Sequence, residues 1–551
     1  MVKFKQISSL EKIRSVEDFP EKELKEVSLV KGEQFSYQIT MKGEHACPGL
    51  VEVDTDMGDC VRVFDVKNII MDKALEDVNA AGVKNADDDY ITREPGLMPD
   101  MLMPVEEQNN KVLFHGGITT LWITIDVSED MKPGKYYIDI KVSGLYSKLR
   151  DAEKVESRMV VNVLDGKVSK PSLPFTQWFY VDCIASVHNV EIYSERHWAI
   201  IEEYIKAAAE VGINLILTPV ISPPLDTAVG TARPKTQLAK IEKIDNEYRF
   251  DFSLLKRWIG VCHKYGIENF EICHLFSQWG AEFAPNIWIT EDGKEKHIFG
   301  WHVKANSDEY RDFLTQFVPA LVKWLKKEGV FDNCRFHLSD EPRQIHLEAY
   351  RYAYNLVKPM LDGAVIMDAM SDFDFYQNGL MECPVCASNH IEPFLEDGTE
   401  SLWAYYCKSQ GNEVGNSFFA MPSYRNRILG LQLYKYDIKG FLQWGFNFYY
   451  SYLSLFPINP YQTSSAAGSF QSGDAFNVYP YKDTCLKSLR AVIFREALQD
   501  IEICRALEKK IGRDAVIEMI DNEAGMDITF KQYPRNAEFI PNLIAKMKHL
   551  I

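Results

Sequence analysis

From residue 169 onward, short strand-like runs alternate with helix-like runs, and this alternation limits the fold more than any other feature of the 551-residue chain. "FTQWFYVD" reads as a strand. "SERHWAIIEEYIKAAAEVG" reads as a helix that Ser194 can cap and Gly212 can end. "INLILTPV" is the next strand. Helix then strand recurs in "DFSLLKRWIGVCHKYG" and "IENFEICHLF", in "SDEYRDFLTQFVPALVKWLKKEG" and "NCRFHLSD", and in "HLEAYRYAYNLVKPML" and "GAVIMDAMSD". "SLWAYYC" and "GFLQWGFNFYY" follow as strands, with the helix "RNRILGLQLYKYD" between them. Strands separated by helices pair in parallel, and a count approaching eight favours a (β/α)₈ barrel of the TIM type over an open sheet. The stretches 224–250 and 279–305 follow strand ends and carry hairpin-like runs such as "TEDGKEKHIFGWH". They would wall a cleft at the barrel's C-terminal face.

The region before residue 169 has a different grain. "EVSLV", "QFSYQITMKG", "TTLWITIDVS", "KYYIDIKVSG" and "SRMVVNVLDG" are rich in β-branched and aromatic residues and partly alternate. Long helical periodicity is scarce, so an antiparallel β-sandwich is expected. The acidic stretch from about 72 to 110 reads as a long loop. "SLRAVIFREALQDIEICRALEKKIG" opens a helical end. The expected division is a β-sandwich over 1–168, a barrel over 169–490 and a C-terminal helical segment over 491–551.

Charge narrows the function classes. The chain has 79 acidic and 61 basic residues, a net −18, with no basic run, which argues against a nucleic-acid partner. No apolar window of about 18 residues is present, so no membrane span is expected. The first twenty residues lack an apolar signal region, and eleven scattered cysteines fit reduced thiols; a cytoplasmic location is the expectation. Cys383 and Cys386 form a lone CxxC with no second pair at zinc-site spacing. They read as ordinary core or loop thiols, or at most as a local metal site. No metal or organic cofactor is implied.

"HLSDEP" (337–342) carries the strongest chemical signal. Asp340 can cap a helix that Pro342 opens, and Glu341 suits the positive end of its dipole. The position also falls at the C-terminal end of a barrel strand, where barrel enzymes keep their reacting groups. Alternation puts Cys334, Phe336 and Leu338 on one face, and Arg335, His337, Ser339 and Glu341 on the other, directed into the barrel. Adjacent Cα atoms lie about 3.8 Å apart, too close for two carboxylates to act from opposite faces of one sugar ring. They suit a glycoside whose own 2-acetamido carbonyl attacks the anomeric carbon. Glu341 would then be the acid and later the base, and Asp340 would steady the oxazolinium intermediate. For both to reach one sugar, the strand must break between Ser339 and Glu341, and the following proline favours such an irregular end.

Several motifs together resemble glycoside hydrolase family 123, the β-N-acetylgalactosaminidases. They are "LILTPVISPPLDT" (215–227), "HLSDEP", "LWAYYC" (402–407), "GFLQWGFNFY" (440–449) and "LRAVIFREALQDIEICRAL", and the similarity runs from about 170 to 510. The resemblance implies a retaining, substrate-assisted glycosidase with a carbohydrate substrate and Asp340 and Glu341 as the pair. It implies that Tyr405, on the face of its strand shared with Trp403, bonds the acetamido carbonyl. It also implies that Trp444 stacks on the sugar and Asn447 holds a hydroxyl. Asp182 and Asp226 follow strand ends and are candidates for hydroxyl binding or plain turn residues. His274 and Gln278 are weaker candidates. A glycosidase using Glu341 with a separate nucleophile such as Glu271, and a non-catalytic carbohydrate-binding protein, are the alternatives.

Overall fold

A computed structural model describes residues 2–17, 19–76, 86–114, 116–146 and 154–551. Two five-stranded sheets occupy the N-terminal region. One runs Lys3–Ser8, Gln34–Lys42, Ile118–Asp126, Val61–Met71 and Gly96–Pro104, all antiparallel. The other runs Glu26–Lys31, Lys154–Lys167, Gly134–Gly144, Cys47–Thr55 and Lys111–Phe114, antiparallel except for its first, parallel pair. Period-two burial explains their packing. In Lys154–Lys167, Val155, Met159, Val161 and Val163 are buried while Glu156 and Arg158 are exposed. Ile39, Leu121 and Ile123 of one sheet meet Val51, Ile140 and Val142 of the other in a common apolar core.

The stretch 72–110 departs from the loop expected of it. Its end, Gly96–Pro104, is a strand paired with Val61–Met71, with Met98, Met101 and Leu102 buried. Residues 77–85 of that stretch lie outside the described residues. The outer face of the first sheet packs on the barrel, where Phe64, Val66, Met101 and Trp122 join the barrel's own core.

Eight parallel strands form a nearly closed barrel. They are β1 (Phe175–Gln177), β2 (Leu215–Thr218), β3 (Asn269–Ile272), β4 (Cys334–Phe336), β5 (Val365–Ala369), β6 (Cys383–Ala387), β7 (Trp403–Tyr406) and β8 (Phe441–Gln443). β1 pairs with β8, and each of the others follows its predecessor around the sheet. Between β1 and β2, Asn214 completes the ring: its N–H donates to Phe175 O (3.1 Å) and its Oδ1 accepts from Phe175 N–H (2.8 Å). β6 is the strand hidden in the CxxC segment, with both thiols buried in the wall. Cys383 and Cys386 are free thiols.

The helices follow the sequence closely. Glu195–Glu210 starts with Ser194 Oγ accepting the His197 N–H (3.2 Å), and Gly212, at φ 94°, takes the chain out of it. By contrast, "FTQWFYVD" is extended only at Phe175–Gln177, and Val181–His188 is a helix. The two insertions pair with each other. Lys240–Ile244, Glu247–Asp251, Ile287–Glu291 and Lys294–Phe299 make one four-stranded sheet beside the barrel. At the C-terminal end, Leu489–Ile511 is moored by Arg427, which bonds Asp500 (2.8 Å) and Glu496 (2.8 Å). Among the described residues, no helix is long and apolar enough to cross a membrane.

Candidate active site

The polypeptide leaves β4 at Phe336 and reaches the rim of the barrel through a sequence of backbone bonds. His337 N–H donates to Ile272 O, and the Leu275 and Phe276 N–H groups donate back to His337 O and Leu338 O. At Asp340 the ladder breaks. Its carbonyl accepts the Trp279 N–H (2.7 Å), while the Glu341 N–H turns to Ala369 O on the opposite neighbour, β5 (3.1 Å). Glu341 adopts φ 41°, a left-handed conformation that a glutamate takes only when its surroundings impose it. The expected break in the strand is therefore present, and both carboxylates line one cavity of about 510 Å³ at the barrel's C-terminal mouth.

Asp368 sets the approach to this turn. Its carboxylate accepts from the Leu338 and Ser339 N–H groups (2.9 and 3.3 Å), from Tyr350 OH (2.7 Å) and from His337 Nδ1 (3.1 Å). Burial opposes charging His337, but Asp368 on one nitrogen and Glu271 on the other (2.8 Å) push it up to about 9. His337 thus lies below the pair, bonded to Asp368 and Glu271, with its protonated form favoured. Burial and the neighbouring Glu341 hold Asp340 well above the usual carboxylate range.

The opposite side of the mouth is aromatic and acidic. Tyr405, near the end of β7, donates its OH to Glu341 Oε1 (2.6 Å) and lies 3.5 Å from Ser371 Oγ. Burial first and Glu341 second push its phenol up, so it stays a donor. Trp444, after β8, stands four strands from β4 in the eight-stranded ring, directly across from the pair, and donates Nε1 to Asp474 Oδ2 (3.1 Å). Burial lifts Asp474 to about 7 and Asp226 to about 6. Asp226, at φ 44°, lines the same cavity, and Gln278 beside it accepts the Asp226 N–H and donates to Thr227 O (3.0 Å).

Of the residues expected at the site, Asp340, Glu341, Tyr405, Trp444, Asp226 and Gln278 meet in this cavity. The others lie behind it. Trp403 shares the face of Tyr405 but starts its strand, so it sits at the far end of the barrel. There Arg335 covers its ring at 5.6 Å, and a Cβ on Gly440 would meet that ring at 2.4 Å. Asn447 is fully buried and clamps Tyr180, accepting its N–H (2.9 Å) and donating to its carbonyl (3.0 Å). Asp182 forms a buried two-pronged pair with Arg233 (2.6 and 2.8 Å), whose guanidinium lies 4.8 Å over the Tyr180 ring. His274 is fully buried, stacked on His337 at 4.4 Å, and burial keeps it neutral. Glu271 is enclosed beneath the floor, accepting from Trp178 Nε1 (3.0 Å) as well as from His337. In their place Trp178 and Tyr180, which these buried groups hold, stand in the cavity wall.

His274, His337 and Asp368 offer ligand atoms within 4.8 Å of one another. For them to hold a metal, His337 would have to give up a nitrogen now bonded to a carboxylate, and the two carboxylates favour its protonated form. Sequence reasoning missed Asp474, Trp279, Lys408 and Phe470, all in the cavity wall. They belong to irregular loops without periodicity. The one available signal was the length of the segment after β8, since long βα loops build the active face of such barrels.

A family model for the glycoside hydrolase 123 catalytic domain matches residues 178–507. No curated protein matches the chain. Among solved structures, a family 123 glycoside hydrolase from Clostridium perfringens, described in connection with glycolipid glycan hydrolysis, aligns over 100% of this chain and 98% of its own, with 16% identity and a TM-score of 0.73. Parabacteroides merdae β-glucuronidase aligns over 91% of this chain and 54% of its own, at 10% identity and a TM-score of 0.30. A family 5 mannosidase from Rhizomucor miehei aligns over 61% and 95%, at 10% identity and 0.31.

Proposed function

The chain belongs to glycoside hydrolase family 123, and from that premise we propose that its cleft hydrolyses terminal β-linked N-acetylgalactosamine with retention, by substrate assistance. The observation that carries this reading is the left-handed turn at Glu341, which turns two consecutive carboxylates into one cavity. Glu341 gives its proton to the glycosidic oxygen as the acetamido carbonyl oxygen bonds to C1 and the C1–O bond breaks. Asp340 accepts the acetamido N–H and opposes the charge of the oxazolinium. Glu341 then takes a proton from water as the water oxygen bonds to C1 and reopens the ring.

The surroundings support these roles. Two neighbouring carboxyl groups in a desolvated turn do not both ionise readily, so the pair enters the reaction holding a proton. With that proton on Glu341 as the acid, Asp340 is the carboxylate that faces the positive charge of the intermediate. Tyr405 is a neutral donor next to Glu341 and can turn to the acetamido carbonyl. Trp444, across the mouth, offers a ring for the sugar's C–H face. The separate-nucleophile alternative loses its named candidate, because Glu271 is sealed under Trp178 and already bonded to His337.

The test compares aryl β-glycosides with and without a 2-acetamido group, follows the product anomer by NMR, and measures inhibition by a thiazoline analogue of the oxazoline. The expected result is turnover of the acetamido sugar alone, a β product first, and tight inhibition. Equal turnover of the plain galactoside removes substrate assistance, and no turnover at all leaves a binding protein.

A further inference from the structure

The loop after β8 brings Phe470 and Asp474 to the cavity, and its fastening lies outside the barrel. We propose that Asp72, just past the sandwich strand Val61–Met71, is a positioning residue for the sugar site: it fastens this loop and through it sets the Trp444 ring. The inference rests on the reaction assigned above and gives the N-terminal sheets a part in holding the substrate.

The loop is costly to form. Ala466 and Ala467 are both left-handed, at φ 50° and 60°, and Gly468 follows at φ 88°. A side chain penalises that region, so two successive alanines stay there only when their surroundings impose it. One carboxylate gathers the start and the end of the loop. Asp72 Oδ2 accepts from Thr463 OH (2.5 Å) and Ser465 OH (2.6 Å), and Oδ1 accepts from the Ser464 N–H (3.0 Å) and Ser472 OH (3.2 Å). On either side of Asp72 the backbone joins in. Ile70 O accepts from Ser464 OH (2.6 Å), Lys73 O accepts the Ser472 N–H (2.9 Å), and the Lys73 N–H donates to Ser472 OH (3.1 Å). Asp72 is half-buried. Burial opposes its charge, but the bonds from Ser465, Thr463 and Ser464 outweigh it and hold the carboxyl below its usual range. At neutral pH it is therefore an acceptor only, as these donors require.

The grip is passed along the loop. Ser465 O accepts the Ser469 and Phe470 N–H groups (2.9 and 2.8 Å), and its hydroxyl accepts the Gly468 N–H (2.7 Å). Ser464 O accepts the Gly473 N–H (3.1 Å). The residues that Asp72 holds thus set the backbone at Phe470 and next to Asp474. These two act on Trp444: Phe470 meets its ring edge to face at 5.3 Å, and Asp474 accepts from its Nε1 (3.1 Å). Tyr452 follows the same loop, donating its N–H to Ala466 O (3.4 Å) and packing on Phe470 at 5.6 Å. Trp444 and Tyr452 line the cavity, and Asp72 does not. Asp72 acts on the sugar through them.

The test uses the full chain and an aryl β-N-acetylgalactosaminide. KM is the main readout, because it does not depend on how much of a preparation is folded. Asp72→Ala should raise KM about tenfold, as expected when bonds to a charged group are lost from the support of the wall. Its kcat should stay within about twofold of wild type, since binding is what the wall supplies. Asp72→Asn keeps the shape and one acceptor oxygen, and should recover part of the loss. Ile140→Ala is the destabilised control and should leave KM unchanged. A merely structural Asp72 would follow that control, with a lower melting temperature and the wild-type KM, and this result overturns the proposal. A double-mutant cycle tests the route. In a Trp444→Ala background, Asp72→Ala should move KM by less than about twofold, because the ring it positions is already gone. A full tenfold rise in that background overturns the route through Trp444. Should Asp72→Ala fail to fold, Asp72→Asn carries both comparisons. Turnover by wild type with KM unchanged in the Asp72 variants overturns the positioning alone. A wild type that neither turns over the glycoside nor binds the thiazoline analogue overturns the reaction and the positioning with it.

Discussion

The two β regions of this protein fill their interiors in opposite ways. Between the N-terminal sheets lie Ile39, Val51, Leu121, Ile123, Ile140 and Val142, side chains with nothing to titrate. Inside the barrel lie Glu271, His337 and Asp368, all fully buried, with Asp226, Asp340, Glu341 and Asp474 around the mouth above them. An apolar interior gains stability from every methyl group it buries. A polar one holds groups whose charge is penalised by burial, and here Glu271, His337 and Asp368 are fixed by bonds to one another, to Trp178 and to Tyr350. The first region is built to be stable. The second gives up stability for groups that can move protons.

Removing the reacting group should have the largest effect on this contrast. Glu341→Gln keeps the shape of the turn and removes the acid, so kcat for the N-acetylgalactosaminide should fall by about 10³-fold or more, with a melting temperature close to wild type. Steady-state kinetics and a thermal melt on one preparation check both halves. A large drop in melting temperature with modest kinetic loss would show that Glu341 is structural.

The mirror experiment belongs in the sheets. Ile140→Ala opens a cavity in the apolar core and should cost about 2–5 kcal/mol of stability. Turnover per folded molecule should stay at the wild-type level, since the cavity at the barrel mouth contains no residue of that core. Denaturant titration beside active-site titration with a slow inhibitor separates the two. A changed KM would mean that the sheets shape the cleft.

Asp474 reverses the usual sign. It sits at about 7 against 3.8 for a free aspartic acid, because burial disfavours its charge. The folded protein therefore keeps a proton that the unfolded chain has released. The stability that this proton gives is present at low pH and is lost as pH rises from about 4 to about 7, on the order of 4 kcal/mol over that span. Asp474→Asn should raise the melting temperature at pH 8 and leave it unchanged near pH 4, while kcat/KM falls. Melting curves across that range check it, and a variant that is destabilised at pH 8 would contradict the reading.

The contrast also explains what the sequence made legible. Strand alternation and capping residues such as Ser194 are local, and the two facing sheets, the parallel barrel and most helices follow from them. A break at Ser339–Glu341 was legible from the need to bring two consecutive carboxylates to one sugar, but its form was not: the proline favours an extended predecessor, and Glu341 is left-handed instead, at φ 41°. β6 was obscured because a short buried strand containing Pro384 and two cysteines has neither alternation nor β-branched residues at each end. At the site, the groups from strand ends were found and those from loops were not. Asp474 and Lys408 reach the cavity through tertiary packing that no periodicity records. Asp182 and Asn447 carried the right chemistry one layer too deep, because a strand end fixes where a residue lies along the chain and leaves its depth open.

Depth is what the smallest prediction tests. Tyr405 and Trp403 lie two residues apart on one face of β7, so alternation treats them alike. One reaches Glu341 at the mouth, and the other packs under Arg335 against Gly440 at the far end. Tyr405→Phe removes one hydrogen bond to a carboxyl group and should lower kcat about tenfold or somewhat more, with little change in melting temperature. Trp403→Phe should do the reverse, costing about 1–2 kcal/mol of packing while kcat and KM hold. Parallel kinetics and melts on the two variants decide it. If Trp403→Phe alone shifted KM, the barrel floor would be coupled to the cleft through the Glu271–His337–Asp368 chain. If Tyr405→Phe left kcat untouched, its bond to Glu341 would serve the resting protein only, and the acetamido group would have to find its donor elsewhere in the wall.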